Sequence, residues 1–198
     1  MCGIVGFVNE ETIENKNKNI KAMMDRIIHR GPNSSGQYVD DSVALGFRRL
    51  SIIDIEAGNQ PMYSPDGNVV LIFNGEIYNF LGLKEKLEEK GHTFLTHSDT
   101  EVLLHAYLEY GEKVVDHLRG MFGFAVWDKR EKKLFIARDH FGIKPVYYGR
   151  FGDTFMFASE IKAFLDNEKF VKELNKEALK PYLTFQYSVL NETFFKGV

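Results

Sequence analysis

Met1-Cys2-Gly3-Ile4-Val5-Gly6-Phe7-Val8 opens the chain, and its apolar, β-branched, glycine-bounded run over 3–8 predicts a short buried strand at the very N-terminus. Such a strand holds Cys2 at its start and keeps it from fraying. Outward from there, Ile20, Met23, Met24, Ile27 and Ile28 recur at helical spacing and predict a helix over 16–28 that Gly31-Pro32 ends. His29-Arg30-Gly31-Pro32-Asn33 then reads as a turn, and the asparagine and lysine cluster over 15–19 as a polar helix entry. Runs of β-formers at 36–39, 43–47, 50–53 and 69–73 lie between Gly, Asp, Asn and Pro punctuation. Helices are expected over 80–90 and 100–110, the second capped by Ser98 or Asp99. Strands return at 121–128, 134–138, 146–151 and 155–159, with turns at Lys129-Arg130-Glu131 and Gly152-Asp153. Strands first, helices interrupting and strands closing argue against alternating βαβ units. The order predicts an α+β fold in which antiparallel sheets are covered by helices.

After Glu160 the character changes. Short helices are expected near 161–165 and 176–183, and 185–198 reads as a run with no turn or partner strand behind it, as if the chain stopped within an element.

The 198 residues are 44% hydrophobic, enough for one substantial core. With 25 basic against 28 acidic side chains and a net charge of -3, there is no electrostatic footprint for nucleic acid or an anionic membrane. Small neutral or zwitterionic substrates fit better. The apolar start has no basic n-region and meets Asn9-Glu10-Glu11 too soon for a signal peptide, and no run approaches a membrane span. A single cysteine excludes an intrachain disulfide and suits a reducing compartment, so a cytoplasmic location is expected. The histidines at 29, 92, 97, 105, 117 and 140 show neither metal-ligand spacing nor a clear pairing with carboxylates. Neither a phosphate-cradling glycine loop nor a Ser-Gly-Gly run is present, so neither metal nor cofactor is expected in this domain.

A cysteine directly after Met1 has a particular chemistry. Removal of the methionine leaves a free α-amine, titrating near ~7.7–8.0, on the same residue as a thiol. General base and nucleophile are then one residue, with no histidine needed. By position alone, an inert buried cysteine explains Cys2 as well. Acyl transfer also needs oxyanion donors, and Asn74-Gly75 offers a side-chain amide and an unobstructed backbone N–H directly after the 69–73 strand. A plain Asn-Gly turn is the competing explanation, weakened by Glu76, Tyr78 and Asn79 alongside. An amino-acid substrate requires a cation and an anion. Arg49, placed ahead of the 50–53 strand, can grip a carboxylate, and Asp99 or Glu76 can pair with an ammonium. Arg48 should face the other way on a strand. For any one of these charges, solvated surface is the default.

Jointly, Met1-Cys2-Gly3-Ile4-Val5-Gly6, His29-Arg30-Gly31-Pro32, Arg49-Leu50-Ser51-Ile52-Ile53-Asp54, Asn74-Gly75-Glu76-Ile77-Tyr78-Asn79, Ser98-Asp99-Thr100-Glu101 and Arg138-Asp139-His140-Phe141-Gly142-Ile143-Lys144-Pro145 resemble the class II glutamine amidotransferase domain of glutamine-dependent asparagine synthetases. The resemblance runs in order from Met1 to about Phe164. It implies the N-terminal-nucleophile fold, a four-layer αββα sandwich of two stacked antiparallel sheets covered by helices. It implies Cys2 as nucleophile and Asn74 with the Gly75 backbone as oxyanion hole. Arg49 would hold the carboxylate of L-glutamine, Asp99 and Glu76 its ammonium, and backbone near Ile52 and Ile53 would complete the pocket. The domain division implied is 1–165 for the glutaminase and 166–198 for a linker and the start of a truncated synthetase domain. That second domain would use ATP and magnesium to make asparagine from aspartate with the ammonia supplied, and a homodimer is admitted. Competing expectations are the glutaminase half of an enzyme amidating a sugar, antibiotic or peptide, an N-terminal-nucleophile acylase with an apolar pocket, and a non-catalytic docking domain.

Overall fold

A computed structural model describes residues 1–50 and 58–198. The first strand, β1 (Gly3–Val8), lies where the opening run predicts it and occupies the centre of a five-stranded sheet. Its neighbours are β3 (Val43–Arg49) on one side and β9 (Thr154–Ala158) on the other, with β2 (Ser34–Val39) and β8 (Tyr147–Phe151) outermost; every pairing is antiparallel. A second antiparallel sheet orders β4 (Met62–Tyr63), β5 (Val69–Ile77), β6 (Gly120–Asp128) and β7 (Lys133–Arg138). Between the sheets, Ile4, Val43, Leu45, Phe47 and Phe157 meet Val70, Ile72, Ala125 and Trp127. The opposite face of the first sheet carries Val5, Phe7, Ala44 and Met156 and is covered by α1 (Ile13–Arg26) through Ile20, Met23 and Met24. The opposite face of the second sheet, with Val69, Leu71, Phe73, Phe122 and Phe124, is covered by α2 (Phe80–Glu89) and α3 (Asp99–Tyr110). These are the four layers expected, and period-two alternation sorts each strand's side chains between them.

Several expectations shift by a few residues for identifiable reasons. The first helix starts at Ile13, where the Thr12 hydroxyl caps the Asn15 N–H, and is followed by a tight 3-10 turn over Ile28–Arg30. The 15–19 cluster is more than a polar entry: Lys16 is fully buried and its Nζ donates to the Asp41 carbonyl at 2.6 Å. β5 does not stop at Phe73; Asn74 to Ile77 pair with Gly123 to Gly120, so the Asn-Gly pair lies within a strand and not after it. Arg49 closes β3, and the strand expected over 50–53 falls, beyond Leu50, outside the described residues. The run over 185–198 does have a partner: Leu174 bridges Phe195, and Val198 is buried in the cluster beneath α1. Within that run's approach, residues 176–178 form a 3-10 turn leading into α4 (Leu179–Phe185).

The two ends of the sandwich differ. At one, Asp40 accepts from the Trp127 indole and the Tyr38 hydroxyl, both at 2.7 Å, and from the N–H groups of Ser42 and Val43, stapling the β2–β3 turn to the second sheet. At the other, Asp139 after β7 accepts from four N–H groups, those of Phe122, Phe141, Ile143 and Lys144. Replacing Asp139 with alanine removes the buried acceptor of those four donors, two of which, the N–H groups of Phe122 and Lys144, belong to buried residues. Asp139→Ala is expected to lower stability by about 2–4 kcal/mol, read as a lower urea midpoint at an unchanged slope.

Candidate functional site

Even-numbered Ile4 faces the gap between the sheets, and so does Cys2, which packs against the same cluster. On β3 the inward positions are odd-numbered, Val43, Leu45 and Phe47, so Arg49 follows them inward and is 5% exposed. Arg48 turns the other way, donating to the Met24 carbonyl and pairing with Asp25, as strand alternation predicts. The β1–β3 register, in which Gly3 faces Arg48, brings Cys2 opposite Arg49. On β5 the inward residues Val70 and Ile72 continue to Asn74 and Glu76. Cys2, Arg49, Asn74 and Glu76 therefore share one end of the inter-sheet gap, opposite the Asp40 staple.

Cys2 is tied down on two sides. Its Sγ lies against the Leu50 peptide, 3.4 Å from the N–H and 3.7 Å from the carbonyl oxygen, and its own carbonyl accepts from Arg30 Nε at 2.9 Å. Arg30 Nη1 in turn meets Glu160 at 3.1 Å, a carboxylate that also contacts His29 and Lys162. Burial works against the Glu160 charge, but hydrogen bonds with His29, Lys162 and Arg30 outweigh it and hold the carboxyl down at about 2. Gly31 sits on the backbone of Arg48 and Arg49, where any Cβ would collide, and Pro32 bridges to Arg49.

Asn74 is 2% exposed, and its Nδ2 has no hydrogen-bond acceptor among the described residues. A buried amide donor left over costs on the order of 1–3 kcal/mol, so its retention points to an acceptor that arrives from outside. The Gly75 N–H belongs to the same open edge of β5. Phe122, its partner across the ladder, turns both its N–H and its carbonyl toward Asp139. On that edge, the Phe73 N–H donates to Gln60 Oε1 at 2.6 Å and the Ile77 N–H to Asp99 Oδ2 at 3.0 Å, leaving the Gly75 N–H between them with no described acceptor. Gly75 must be glycine, since a Cβ there would strike the Met121 carbonyl and the Phe122 backbone.

Ser98 caps α3 by accepting the Glu101 N–H, which frees Asp99 at the helix start to reach Ile77. Burial raises the Asp99 carboxyl above its ordinary value, helped by the charge of Glu76 and opposed by the bond from the Ile77 N–H. No cation pairs with Asp99 among the described residues. Arg49 Nη1 donates to Asn59 Oδ1 at 3.2 Å. Gln60, beside Asn59, clamps both the N–H and the carbonyl of Phe73 and reaches Thr100 Oγ1 at 3.5 Å, tying the Asn74 strand to the start of α3. Ile52 and Ile53, expected at the pocket, lie outside the described residues.

Sequence alone attached no chemistry to Arg30, Glu160, Asn59, Gln60 or Lys144. The His29–Pro32 and Arg138–Pro145 stretches were the available signal for Arg30 and Lys144, because charged residues on Gly- and Pro-containing loops held by a rigid scaffold are where function concentrates. Two histidines for which the sequence showed no clear carboxylate partner do have one: His29 meets Glu160, and His92 meets Glu109 as well as buried His105. Among the described residues no group of three or more His, Cys, Asp or Glu is arranged to hold a metal ion, and no helix is long and apolar enough to cross a membrane.

Residues 1–198 match the glutamine amidotransferase domain family. Asparagine synthetase [glutamine-hydrolyzing] 1 of Bacillus subtilis is 48% identical over 190 residues, covering 94% of this chain and 30% of the relative. The asparagine synthetase [glutamine-hydrolyzing] of Zea mays is 44% identical over 174 residues, covering 86% and 29%. The chain thus spans about 30% of the length of these relatives. Among solved structures, glutamine phosphoribosylpyrophosphate amidotransferase from B. subtilis superposes with a TM-score of 0.68 at 23% identity, over 87% of this chain and 45% of that one, a likeness of fold.

The Glu160 cluster has a pH signature. Its folded carboxyl titrates below the unfolded one, so its contribution is complete above about pH 4.5 and is lost as pH falls toward about 2. Glu160→Gln is expected to cost about 1–2 kcal/mol at neutral pH, since the exposed His29 and Lys162 partners are screened by solvent, and to flatten the acid side of a stability-versus-pH curve between those values.

Proposed function

The chain belongs to the glutamine amidotransferase domain family, and we propose that it hydrolyses L-glutamine to L-glutamate and ammonia through a thioester on Cys2. The observation that carries this reading is the buried, unsatisfied Asn74 amide at the same end of the inter-sheet gap as Cys2. Once Met1 is removed, the Cys2 α-amine takes the thiol proton and the sulfur attacks the side-chain carbonyl carbon of glutamine. The oxyanion accepts from Asn74 Nδ2 and the Gly75 N–H, which need no reorganisation to meet it. Collapse breaks the C–N bond while the ammonium returns its proton to the leaving ammonia. Water then adds to the thioester, giving up a proton to the amine, and the C–S bond breaks to release glutamate and restore the thiol. Arg49 holds the substrate carboxylate, in competition with Asn59, and Asp99 with Glu76 holds its ammonium. An ammonium neutralises the carboxylate that burial disfavours. The charged pair at the pocket favours a zwitterion over the apolar acyl group of the acylase reading.

The same proposal extends to the whole protein. Residues 166–198 lead into a synthetase domain that uses ATP and magnesium to amidate aspartate with the ammonia released here, in the cytoplasm, with no cofactor held by the glutaminase domain. A homodimer is compatible with it. The high identity to two asparagine synthetases favours aspartate over a sugar, antibiotic or peptide acceptor.

Intact mass and glutamate release, measured on one sample, test the proposal: protein lacking Met1 should release glutamate, and protein retaining it should not. Processed protein that releases none overturns the reading. Cys2→Ala is expected to abolish release with the fold intact, and Asn74→Ala to lower kcat about 10²–10³-fold with a small change in KM. Asp99→Asn should raise KM for glutamine at least about tenfold. In the unsubstituted enzyme, KM should rise as pH falls through the raised Asp99 titration, earlier than for an ordinary carboxylate; a flat KM over that range removes Asp99 from the pocket.

A further inference from the structure

Lys144 is a buried cation, 7% exposed, and its side chain reaches only a sulfur: Nζ donates to Met1 Sδ at 3.2 Å, with no carboxylate partner among the described residues. A thioether is a weak acceptor, so the Lys144 ammonium has no strong partner at this contact. The backbone leaves Lys144 little choice of place. Its N–H is held by Asp139 Oδ2 at 2.9 Å, its carbonyl lies beside Gly123, and Gly123 pairs with Asn74. Two residues on, Val146 joins the inter-sheet cluster. Lys144 therefore reaches from the Asn74 end of one sheet to the chain start on the other, where its one side-chain partner among the described residues is Met1, whose removal exposes the Cys2 amine.

We propose that Lys144 is a positioning residue for the N-terminal nucleophile: after Met1 leaves, its ammonium faces the new α-amine, repels a second positive charge there, and so keeps that amine neutral and able to act as the base. The proposal rests on the glutaminase reading of Cys2. The other charged groups around the amine do not offset this charge. Arg30 and Arg49 add positive charge, Glu160 is shared among Arg30, His29 and Lys162, and the Asp139 carboxylate is taken up by backbone N–H groups. Glu76 and Asp99 sit on the β5 edge, where the glutamine ammonium would neutralise them.

The test uses processed protein in two backgrounds. In the active enzyme, Lys144→Met should move the acid limb of kcat/KM for glutamine upward by about one pH unit, while Lys144→Arg, which keeps the charge, should leave it in place. In the Cys2→Ala background, which has the amine but no turnover, the pH dependence of competitive acetylation of the α-amine, read by mass, should move by the same amount on Lys144→Met. Should Lys144→Met fail to fold, Lys144→Gln is read in the same way. A fall in kcat with both titrations unmoved would mean a merely structural lysine and would overturn the proposal. Absence of glutamate release from the unsubstituted enzyme would sink the glutaminase reading instead, and the acetylation titration would still judge Lys144.

Discussion

Strand alternation at one end of a two-sheet stack is the constraint on which the site depends. Along β1, β3 and β5, every second side chain enters the gap between the sheets, and over most of its length that gap is filled by Ile4, Val43, Leu45, Phe47, Val70 and Ile72. One pleat further along, the same positions are Cys2, Arg49, Asn74 and Glu76. The chemistry is thus an extension of the core, held by ladders whose register cannot slip by one residue without exchanging the buried and outward faces of every strand. Placing reactive groups on paired strands gives them a precision that loops do not supply.

Polar groups brought to that end must be satisfied, and the fold meets the requirement selectively. Asp139 accepts three N–H groups of its turn and that of Phe122 on β6, Gln60 closes the edge of β5 beside Phe73, and Arg30 joins the Cys2 carbonyl to Glu160. Against that background two donors at this end stand out, Asn74 Nδ2 and Arg30 Nη2, because buried side-chain donors are nearly always used. The charge balance follows a similar logic. Glu160 has enough partners to stay ionised although half-buried, whereas Asp99 has a backbone N–H and a neighbouring carboxylate, and its titration is displaced upward.

Cys2 needs support of a different kind, since a first or second residue ordinarily frays. Here the strand it introduces is the central one of five, pinned by β3 and β9 together, and Ser159 holds both sides of the Ile4 peptide, its hydroxyl accepting the N–H and its own N–H donating to the carbonyl. Cys2 is therefore held by the most firmly pinned strand of the first sheet.

The order of elements, the strand at the N-terminus, the α1 face and the opposed directions of Arg48 and Arg49 were legible in the sequence, because each follows from local periodicity. The resemblance of six motifs supplied the layer arrangement, which the structure bears out, and a set of candidate pocket residues. The continuation of β5 through Asn74-Gly75-Glu76 was not legible: an Asn-Gly pair favours a turn locally, and only pairing with Gly120 to Gly123 keeps it extended. Likewise, nothing near Arg30 in sequence indicates Cys2 or Glu160, which lie 28 and 130 residues away, and Lys144 meets Met1 across 143. By itself the sequence determined the order of the elements, the apolar face of α1 and a set of residues whose chemistry suits an amino-acid substrate. The tertiary structure alone decided which of them meet, because side-chain partners at the end of a sandwich are set by the stacking of two sheets from distant parts of the chain, and local propensity carries no record of that stacking.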